Sequence, residues 1–390
     1  MSSGSIGVGP GAARQGEVYL RGMTGERPDL PFSTADLEAL AKAKLSPEAW
    51  AYIAGGAGRE TTMDANRASL DAKRIVPRMA IDASSRDMTI KLFGMTLPTP
   101  FLTCPIGVMS LAHPDADLAV ARGAGAAGVP MIISNQASYS MEEIAAAAPG
   151  PKWFQLYWGR SEELVASLMG RAKASGCEAI VITLDTTILG WRCRDLDLGH
   201  LPFLKGEGIA QYTSDPWFRS QLSEPPEKNP FAAAALFTQI FSDPSLSWEK
   251  LKTIRRHTDL PIILKGIQHP EDAGLAAQHG FDGIVVSNHG GRQVDGAVGS
   301  FAQLDACAEH VEGRIPVLFD SGVRSGVDAF KAIARGADAV CIGRPWVYGL
   351  AAKGAEGVEA VLKNMIAELD LTMALSGCKT LKDVRHAKLV

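Results

Sequence analysis

The stretch GIVVSNHGGRQ, residues 283–293, organises the interpretation of the whole chain. Its first four residues are apolar and predict a short buried strand. Polar side chains follow at once, among them the imidazole of His289 and the guanidinium of Arg292. An imidazole can accept a proton near neutral pH, and a guanidinium can hold a carboxylate through two parallel hydrogen bonds. The stretch therefore predicts a strand end that acts on an anionic substrate; a structural histidine beside a surface arginine is the alternative.

Similar apolar runs recur along the chain and are separated by helical stretches. The predicted strands are 101–104, 131–133, 153–157, 179–183, 262–264, 284–286, 317–319 and 339–342. Alternating strands and helices indicate a parallel sheet. Eight such units fit a closed (β/α)8 barrel, the TIM barrel of the α/β class, and a doubly wound open sheet is the alternative.

The composition is that of an ordinary globular protein. Of the 390 residues, 46% are hydrophobic and 21% are charged, as in typical soluble domains. The formal net charge of −4 gives no indication of nucleic-acid binding. No apolar run approaches the roughly 18 residues of a membrane-spanning helix, so we expect no membrane span.

The cysteines and the N-terminus bear on metal binding and location. The six cysteines are scattered, without a CxxC pair or a histidine cluster at metal-ligand spacing. This pattern predicts neither a metal site nor a disulfide framework. Residues 1–5 lack the basic start and apolar core of a signal peptide. We therefore expect a protein of the reducing cytoplasm.

The segment before the predicted barrel has two parts. Residues 1–32 are rich in Gly, Ser and Arg and predict a flexible tail. A single domain is expected over 33–390, and it starts with a helical extension whose first helix begins at the capping sequence 33–38. A second helix, 47–53, ends before two glycines, so that Tyr52 is placed to project into a pocket.

A long segment after the fourth predicted strand interrupts the alternation. Residues 186–245 have little periodicity, but they contain several aromatic residues. Irregular segments of this length are usually functional lids or linkers, and a linker would be less aromatic. We therefore predict a partly helical lid over the pocket.

The sequence GAGAAG at residues 123–128 matches the GxGxxG pattern of dinucleotide-binding proteins. A dinucleotide fingerprint must follow a strand and open a helix. This one closes a predicted helix and precedes a strand. We therefore interpret the glycines as helix-packing residues and do not expect nicotinamide binding.

In a (β/α)8 barrel, functional residues lie where the strands end at their carboxyl side. Every predicted strand of this chain is followed there by polar residues or glycine. At the seventh and eighth ends, backbone amides near Gly322 and Gly343, with Arg324 and Arg344, predict an anion socket, because phosphate sites commonly lie there. Lys265, at the fifth end, could stabilise negative charge on a flat cofactor ring.

The motif SNHGGRQ at residues 287–293 resembles the active-site signature of the FMN-dependent L-2-hydroxy acid oxidases, the family of glycolate and lactate oxidases. The resemblance covers roughly residues 33–380. Residues 293–296 are similar to the simple oxidases. Overall the chain is most similar to the lactate 2-monooxygenases, and the stretches that carry this likeness are 105–108, 185–192, 202–204 and 212–216.

The resemblance implies a role for each candidate residue. His289 would remove the hydroxyl proton of the substrate, and Asp185 would orient His289 and stabilise its cation. Tyr157 would contact the substrate hydroxyl or the developing carbonyl. The residues implied to hold the substrate carboxylate are Tyr52, Arg192 and Arg292. Those implied to bind FMN are Pro105, Ile106, Gly107, Ser134, Gln155, Thr183, Lys265, Ser287, Asp320, Gly322, Arg324, Gly343 and Arg344.

The resemblance also implies a homotetramer that binds FMN non-covalently. It would oxidise a short L-2-hydroxy acid, with O2 as the second substrate. In a lactate 2-monooxygenase, L-lactate and O2 would give acetate, CO2 and water, because a lid that retains pyruvate lets nascent peroxide decarboxylate it. If pyruvate left the site first, the products would be pyruvate and H2O2 instead. Which products form depends on how fast pyruvate is released. Gln136 stands where the family usually has a small or apolar residue, which leaves the identity of the acid open.

Three other hypotheses compete with that of an FMN-dependent 2-hydroxy acid oxidase or monooxygenase. The first is a dehydrogenase of the same family that passes its electrons to another acceptor. The second is a different FMN barrel, such as an isomerase, which would not need the carboxylate clamp of Arg192 and Arg292. The third is a non-catalytic FMN-binding protein, which would not need His289 and Asp185.

Overall fold

The computed structural model describes residues 9–390, and four helices and a hairpin precede its barrel. The helices are α1 (Pro10–Met23), α2 (Thr34–Lys44), α3 (Pro47–Ala54) and α4 (Thr61–Asp71). The antiparallel hairpin consists of β1 (Ile90–Leu92) and β2 (Met95–Leu97). The predicted caps are confirmed at α2, where the Ser33 side chain accepts a hydrogen bond from the amide of Asp36 at 3.4 Å.

The flexible tail predicted over 1–32 contains a helix that the sequence analysis did not anticipate, because residues 10–23 form α1. This helix packs against the long C-terminal helix. The Gly11 amide donates to Asp370 Oδ2 at 3.0 Å, and Arg86 forms an ion pair with the same carboxylate at 2.7 Å. A contact with a helix more than 300 residues away leaves no trace in the local sequence pattern. The first eight residues of the predicted tail lie outside the described residues.

Eight parallel strands form a closed barrel in the order of the chain. They are β3 (Phe101–Thr103), β4 (Met131–Ile133), β5 (Lys152–Tyr157), β6 (Ile180–Thr183), β7 (Ile262–Ile267), β8 (Gly283–Val286), β9 (Val317–Phe319) and β10 (Ala339–Ile342). The last strand pairs with both β9 and β3. This closure confirms the predicted (β/α)8 barrel and excludes the open sheet.

Helices surround the barrel and link its strands. The outer helices are α5 (Ala116–Ala126), α6 (Met141–Ala147), α7 (Glu162–Ala174), α12 (Trp248–Lys252), α13 (Pro270–Gln278), α14 (Ser300–Val311), α15 (Gly326–Ala334), α16 (Arg344–Leu375) and α17 (Leu381–Arg385). The GxGxxG stretch lies at the end of α5. A Cβ on Gly123 would collide with the Ala355 carbonyl of α16, so the interpretation as a helix-packing motif is confirmed.

The hairpin of β1 and β2 covers the N-terminal end of the barrel. Leu92 and Leu97 are buried together with the inward-facing side chains of the strands. The Phe93 ring, at the hairpin turn, packs edge-on against Trp153 inside the barrel, with ring centroids 5.4 Å apart. Because this end is filled by side chains, a ligand site is left to the opposite end.

The segment between β6 and β7 is partly helical, as predicted for a lid. Its short helices are α8 (Cys193–Asp197), α9 (Ala210–Thr213), α10 (Pro216–Ser220) and α11 (Pro230–Ile240). Aromatic side chains pack two of these helices together: the Phe237 ring of α11 contacts Phe203 and Tyr212 of α9, with centroids 5.3 and 4.8 Å apart, respectively. None of the helices in residues 9–390 combines the length and apolar character needed to cross a membrane.

Candidate active site

One cavity at the carboxyl ends of the strands gathers most of the predicted site residues. Those that line it are Tyr52, Pro105, Ile106, Gly107, Ser134, Tyr157, Arg192, Lys265, His289, Arg292, Asp320, Gly322, Arg324, Gly343 and Arg344. Four predicted residues are not part of the lining: Gln155, Thr183, Asp185 and Ser287. Each of these four residues lies next to a residue that lines the cavity: Gln155 next to Ser134, Thr183 next to Lys265, Asp185 next to His289 and Ser287 next to Lys265.

His289 and Asp185 form a hydrogen-bonded pair across the ends of β8 and β6. The His289 Nδ1 atom lies 2.8 Å from Asp185 Oδ1. Thr186 adds a bond from its hydroxyl to the same oxygen at 3.1 Å. A carboxylate at Nδ1 selects the tautomer with the proton on Nδ1, which leaves Nε2 as a proton acceptor. The pair therefore has the arrangement of a general base and the group that orients it.

The charge states of the pair suit this role. Burial lowers the pKa of His289 below its ordinary value of 6.5, although Asp185 opposes the shift. Burial acts to raise the pKa of Asp185, but the nearby charges of His289 and Lys265 outweigh it and lower that pKa. At neutral pH the imidazole is therefore neutral and the carboxylate ionised. A neutral imidazole is the form that can accept a proton.

The loop that carries His289 has an unusual backbone held by specific bonds. His289, Gly290 and Gly291 have φ values of 58°, 64° and 77°, a region that favours glycine and strains other residues. The Gly290 amide donates to the Ser321 hydroxyl at 3.0 Å, and the Gly291 amide donates to Asn288 Oδ1 at 3.1 Å. A Cβ on Gly291 would collide with Met63 of α4, 2.6 Å from its Cγ. The glycines therefore allow the tight turn that presents the imidazole.

Two guanidinium groups line the same cavity. Arg292 Nη1 donates to the Gly55 carbonyl at 2.7 Å, and its guanidinium carbon lies 5.1 Å from the centroid of the Tyr52 ring. Burial, together with the charge of Arg192, lowers the pKa of Arg292 to about 9. Within residues 9–390, neither arginine forms an ion pair with a carboxylate. A bound anion would relieve this electrostatic cost.

The two tyrosines of the cavity keep their protons. Burial raises the pKa of Tyr157 to about 12, with a further contribution from Asp185. Burial also raises the pKa of Tyr52, against the opposing effect of Arg292. Both phenols are therefore hydrogen-bond donors at neutral pH. They can donate to a carboxylate or to a developing carbonyl oxygen.

Two residues implied to contact a flavin ring, Gln155 and Lys265, offer hydrogen-bond donors to a ligand. Gln155 Oε1 accepts a bond from the Asn135 amide at 3.1 Å, while its Nε2 is buried without a partner among the described residues. Lys265 donates to the Ser287 hydroxyl at 2.9 Å. Burial acts to lower the pKa of Lys265, but Asp320 and Asp185 outweigh it and raise that pKa. A buried amide donor and a fixed cation fit the polar edge of an isoalloxazine, so these residues fit FMN.

Thr183 and Gly107 border this part of the cavity. Thr183 ends β6 and is in register with Tyr157 on one side and Lys265 on the other. A Cβ on Gly107 would lie 2.5 Å from the Cβ of Gln136, so the backbone at this point tolerates no side chain. The missing side chain therefore lets Gln136 pack directly on the backbone at Gly107.

The predicted anion socket differs in detail from the expectation. The Arg344 guanidinium donates to the carbonyls of Ile53, Gly290 and Gly55 at 3.1, 3.0 and 2.8 Å. This side chain therefore joins α3 to the His289 loop. What α16 offers an anion is its N-terminus, which begins at Arg344, while the half-buried Arg324 supplies the nearby cation.

Three residues that support the site were missed by the sequence analysis. Thr186 bonds to Asp185, and Ser321 donates to Asp320 Oδ1 at 2.7 Å while its oxygen accepts from the His289 loop. Asn66 of α4 exchanges side-chain hydrogen bonds with Asn288. The first two directly follow a predicted site residue in sequence and could have been found on that signal. Asn66 gives no such signal.

Comparison with known proteins agrees with this geometry. The family described as FMN-dependent dehydrogenase matches residues 41–390. An L-lactate oxidase of Lysinibacillus sphaericus is 43% identical over 96% of this chain and 96% of its own length, and a 4-hydroxymandelate oxidase of Amycolatopsis orientalis is 40% identical over 91% and 97%. A crystal structure of mandelate oxidase superimposes with a TM-score of 0.83 at 40% identity, covering 92% of this chain and 98% of that one. The chain belongs to the FMN-dependent dehydrogenase family.

Proposed function

We propose that this protein oxidises a short L-2-hydroxy acid to the 2-keto acid and passes the electrons to O2, which gives H2O2. One observation carries the proposal. The pair of His289 and Asp185 borders the cavity that also holds Arg192 and Arg292. A base beside two cations without carboxylate partners suits a substrate with a hydroxyl next to a carboxylate.

The residues divide the work of the reaction. FMN, when bound, supplies the hydride acceptor. His289 Nε2 takes the proton of the α-hydroxyl, and the ionised Asp185 stabilises the imidazolium that forms. The Tyr157 hydroxyl donates to the substrate oxygen as it becomes a carbonyl. Lys265, charged and buried, would stabilise negative charge on a bound flavin ring.

The carboxylate is held by Arg292, Arg192 and Tyr52. Arg292 is fixed by the Gly55 carbonyl and lies over the Tyr52 ring, so its orientation is set before the substrate arrives. Such preorganisation places the α-carbon at a constant distance from the base. The lowered pKa of Arg292 indicates a cation that gains stability when an anion binds.

Gln136 bears on which acid is oxidised. Its side chain is 4% exposed and belongs to a residue that lines the cavity, yet neither of its amide atoms has a hydrogen-bond partner among the described residues. The Tyr212 hydroxyl lies nearby and donates its proton to Asn135 Oδ1 at 3.3 Å, so it cannot donate to Gln136 Oε1 as well. A buried amide without partners favours a ligand group that can hydrogen-bond to it. We propose that the substrate side chain is polar.

A lactate 2-monooxygenase outcome is the second candidate. It is favoured by the lid, whose Phe203 and Phe241 line the cavity and would slow the escape of a keto acid. Peroxide formed beside retained pyruvate would decarboxylate it to acetate, CO2 and water. We favour the oxidase because the L-lactate oxidase and the 4-hydroxymandelate oxidase that this chain resembles are both named as oxidases.

The test uses the purified yellow protein. It is mixed without O2 with L-lactate, L-glycerate or the achiral glycolate, and with D-lactate as the control, while flavin absorbance is followed. We expect bleaching by an L-acid and none by D-lactate. Air is then admitted, and keto acid, H2O2 and acetate are measured. A flavin that no short L-2-hydroxy acid bleaches would contradict the proposal; acetate with no peroxide would select the second candidate, and slow reoxidation in air would indicate a dehydrogenase.

A further inference from the structure

The side chain of Gln293 joins two segments of the active site through all of its polar atoms. Its Nε2 donates to the Asp185 carbonyl at 2.7 Å and to the Ile188 carbonyl at 3.0 Å. Its Oε1 accepts a bond from Arg192 Nη2 at 3.0 Å. A single amide therefore links the residue that orients the base, the start of the lid and one arm of the carboxylate clamp.

We propose that Gln293 is a positioning residue that sets the orientation of Arg192 and fixes the segment 185–192 against the His289 loop. The inference rests on the proposed function. Both hydrogen bonds of the Arg192 guanidinium go to the same short stretch, because its Nε donates to the Arg292 carbonyl at 3.3 Å. Its direction is thus determined by residues 292–293.

The close fit of the two backbones supports this role independently. A Cβ on Gly190 would lie 2.5 Å from the Arg292 carbonyl oxygen and 2.6 Å from that of Gln293. The segment that contains Arg192 therefore lies directly on residues 292–293, with no room for an intervening side chain. The Gln293 amide donates to the carbonyls of Asp185 and Ile188, which face this contact and need a hydrogen-bond donor.

The chemistry of the amide matters as well as its place. A neutral acceptor can orient a guanidinium without neutralising it, and the cation then remains available to a substrate carboxylate. A glutamate here would have the same shape, but its charge would compete with the substrate for Arg192. It would also lose the donor that holds the Asp185 and Ile188 carbonyls.

The test separates orientation from general stability. Gln293→Glu and Gln293→Met are compared with wild type for binding of an unreactive carboxylate, propionate, to the oxidised holoenzyme, measured by the change in flavin absorbance. We expect both variants to bind propionate about tenfold more weakly than wild type, or weaker still, and we expect Gln293→Glu to show the larger loss of affinity. The limiting rate of flavin reduction should fall less than the affinity does. Gln268→Met is the matched control, because Gln268 also donates to a carbonyl, that of Val298, but does not line the cavity.

A double-mutant cycle with Arg192→Met completes the test. If Gln293 acts through Arg192, adding the uncharged change Gln293→Met to Arg192→Met should alter propionate binding less than about twofold. Fully multiplicative losses, or wild-type propionate binding by Gln293→Met, would overturn the inference. Because propionate binding needs no turnover, this result is independent of the proposed function, which is tested by flavin reduction with hydroxy acids and by the products formed in air.

Discussion

Asn66 and Asn288 exchange two hydrogen bonds between their buried side-chain amides. Asn66 Nδ2 donates to Asn288 Oδ1 at 2.9 Å, and Asn288 Nδ2 donates to Asn66 Oδ1 at 2.7 Å. Asn288 Oδ1 also accepts from the Gly291 amide. The pair therefore attaches the turn around His289 to helix α4, an element outside the barrel.

Replacing Asn66 with Leu should disturb the active site without touching the cavity. The substitution removes both buried hydrogen bonds between Asn66 and the Asn288 side chain, which costs about 1–3 kcal/mol, and it loosens the strained turn that holds His289. We expect a lower midpoint of thermal unfolding and a rate of flavin reduction lowered about tenfold or more. Differential scanning fluorimetry and anaerobic stopped-flow reduction measure the two effects.

Asn364→Leu serves as the control for this change. Asn364 accepts one hydrogen bond, from Arg14 of α1, and lies on α16 away from the cavity. It should affect stability but leave the reduction rate near that of wild type. Equal reduction rates in wild type and Asn66→Leu would show that the amide pair has no part in positioning His289.

Sequence patterns predicted the parts of this protein that are built locally. The run before Ser287 and the polar residues after it are adjacent in the chain, so the pattern alone placed His289 and Arg292 at a strand end, where the structure has them. Asn66 could not be found in this way, because its partner is 222 residues distant. The sequence patterns also did not predict the hairpin that carries Phe93 or the helix α1. Both elements are stabilised by contacts with residues that are distant in sequence.

Replacing His289 with Gln should separate cofactor binding from chemistry. Glutamine keeps a similar size and can still hydrogen-bond to Asp185, but it cannot take up a proton. We expect the variant to retain FMN and to lose at least about 100-fold in the rate of flavin reduction, the lower limit of a typical contribution from a general base. Absorbance spectra check FMN content, and stopped-flow mixing checks the rate. A variant that reduces its flavin at nearly the normal rate would refute the assignment of the base.

Up to neutral pH, where Arg292 with its pKa of about 9 stays charged, the rate of flavin reduction should show a single acid limb from His289. The proton acceptor must be neutral, so the reduction rate should rise with pH and level off. Because the pKa of His289 lies below its ordinary value of 6.5, the midpoint of the limb should also lie below 6.5. Asp185 raises this pKa, so Asp185→Asn should move the midpoint to still lower pH while it slows the reaction. A midpoint that moves upward in Asp185→Asn would contradict the electrostatic role of the carboxylate.

Gln136 should set the preference for the substrate side chain. We compare L-lactate with L-glycerate, which differ by one hydroxyl, in wild type and in Gln136→Leu. Wild type should favour glycerate, and the variant should shift the ratio of kcat/KM toward lactate by about tenfold, the effect of one buried hydrogen bond to a polar group. Because the ratio compares two substrates in one protein, a general loss of activity cancels. A ratio unchanged by the substitution would place the Gln136 amide outside the substrate pocket.

Arg324 should contribute to cofactor affinity through the phosphate alone. The half-buried guanidinium lies at the end of β9, near the N-terminus of α16, and it donates one bond to the Val323 carbonyl at 3.0 Å. Arg324→Leu removes a charged donor, so the dissociation constant of FMN should rise about tenfold to 100-fold. Riboflavin has the same ring but no phosphate, and its affinity should not change. Fluorescence titration of the apoprotein with each ligand measures both constants, with Arg335→Leu, at a surface ion pair with Asp305, as the control. An equal loss of FMN and riboflavin affinity would mean that Arg324 supports the shape of the cavity and does not bind the phosphate.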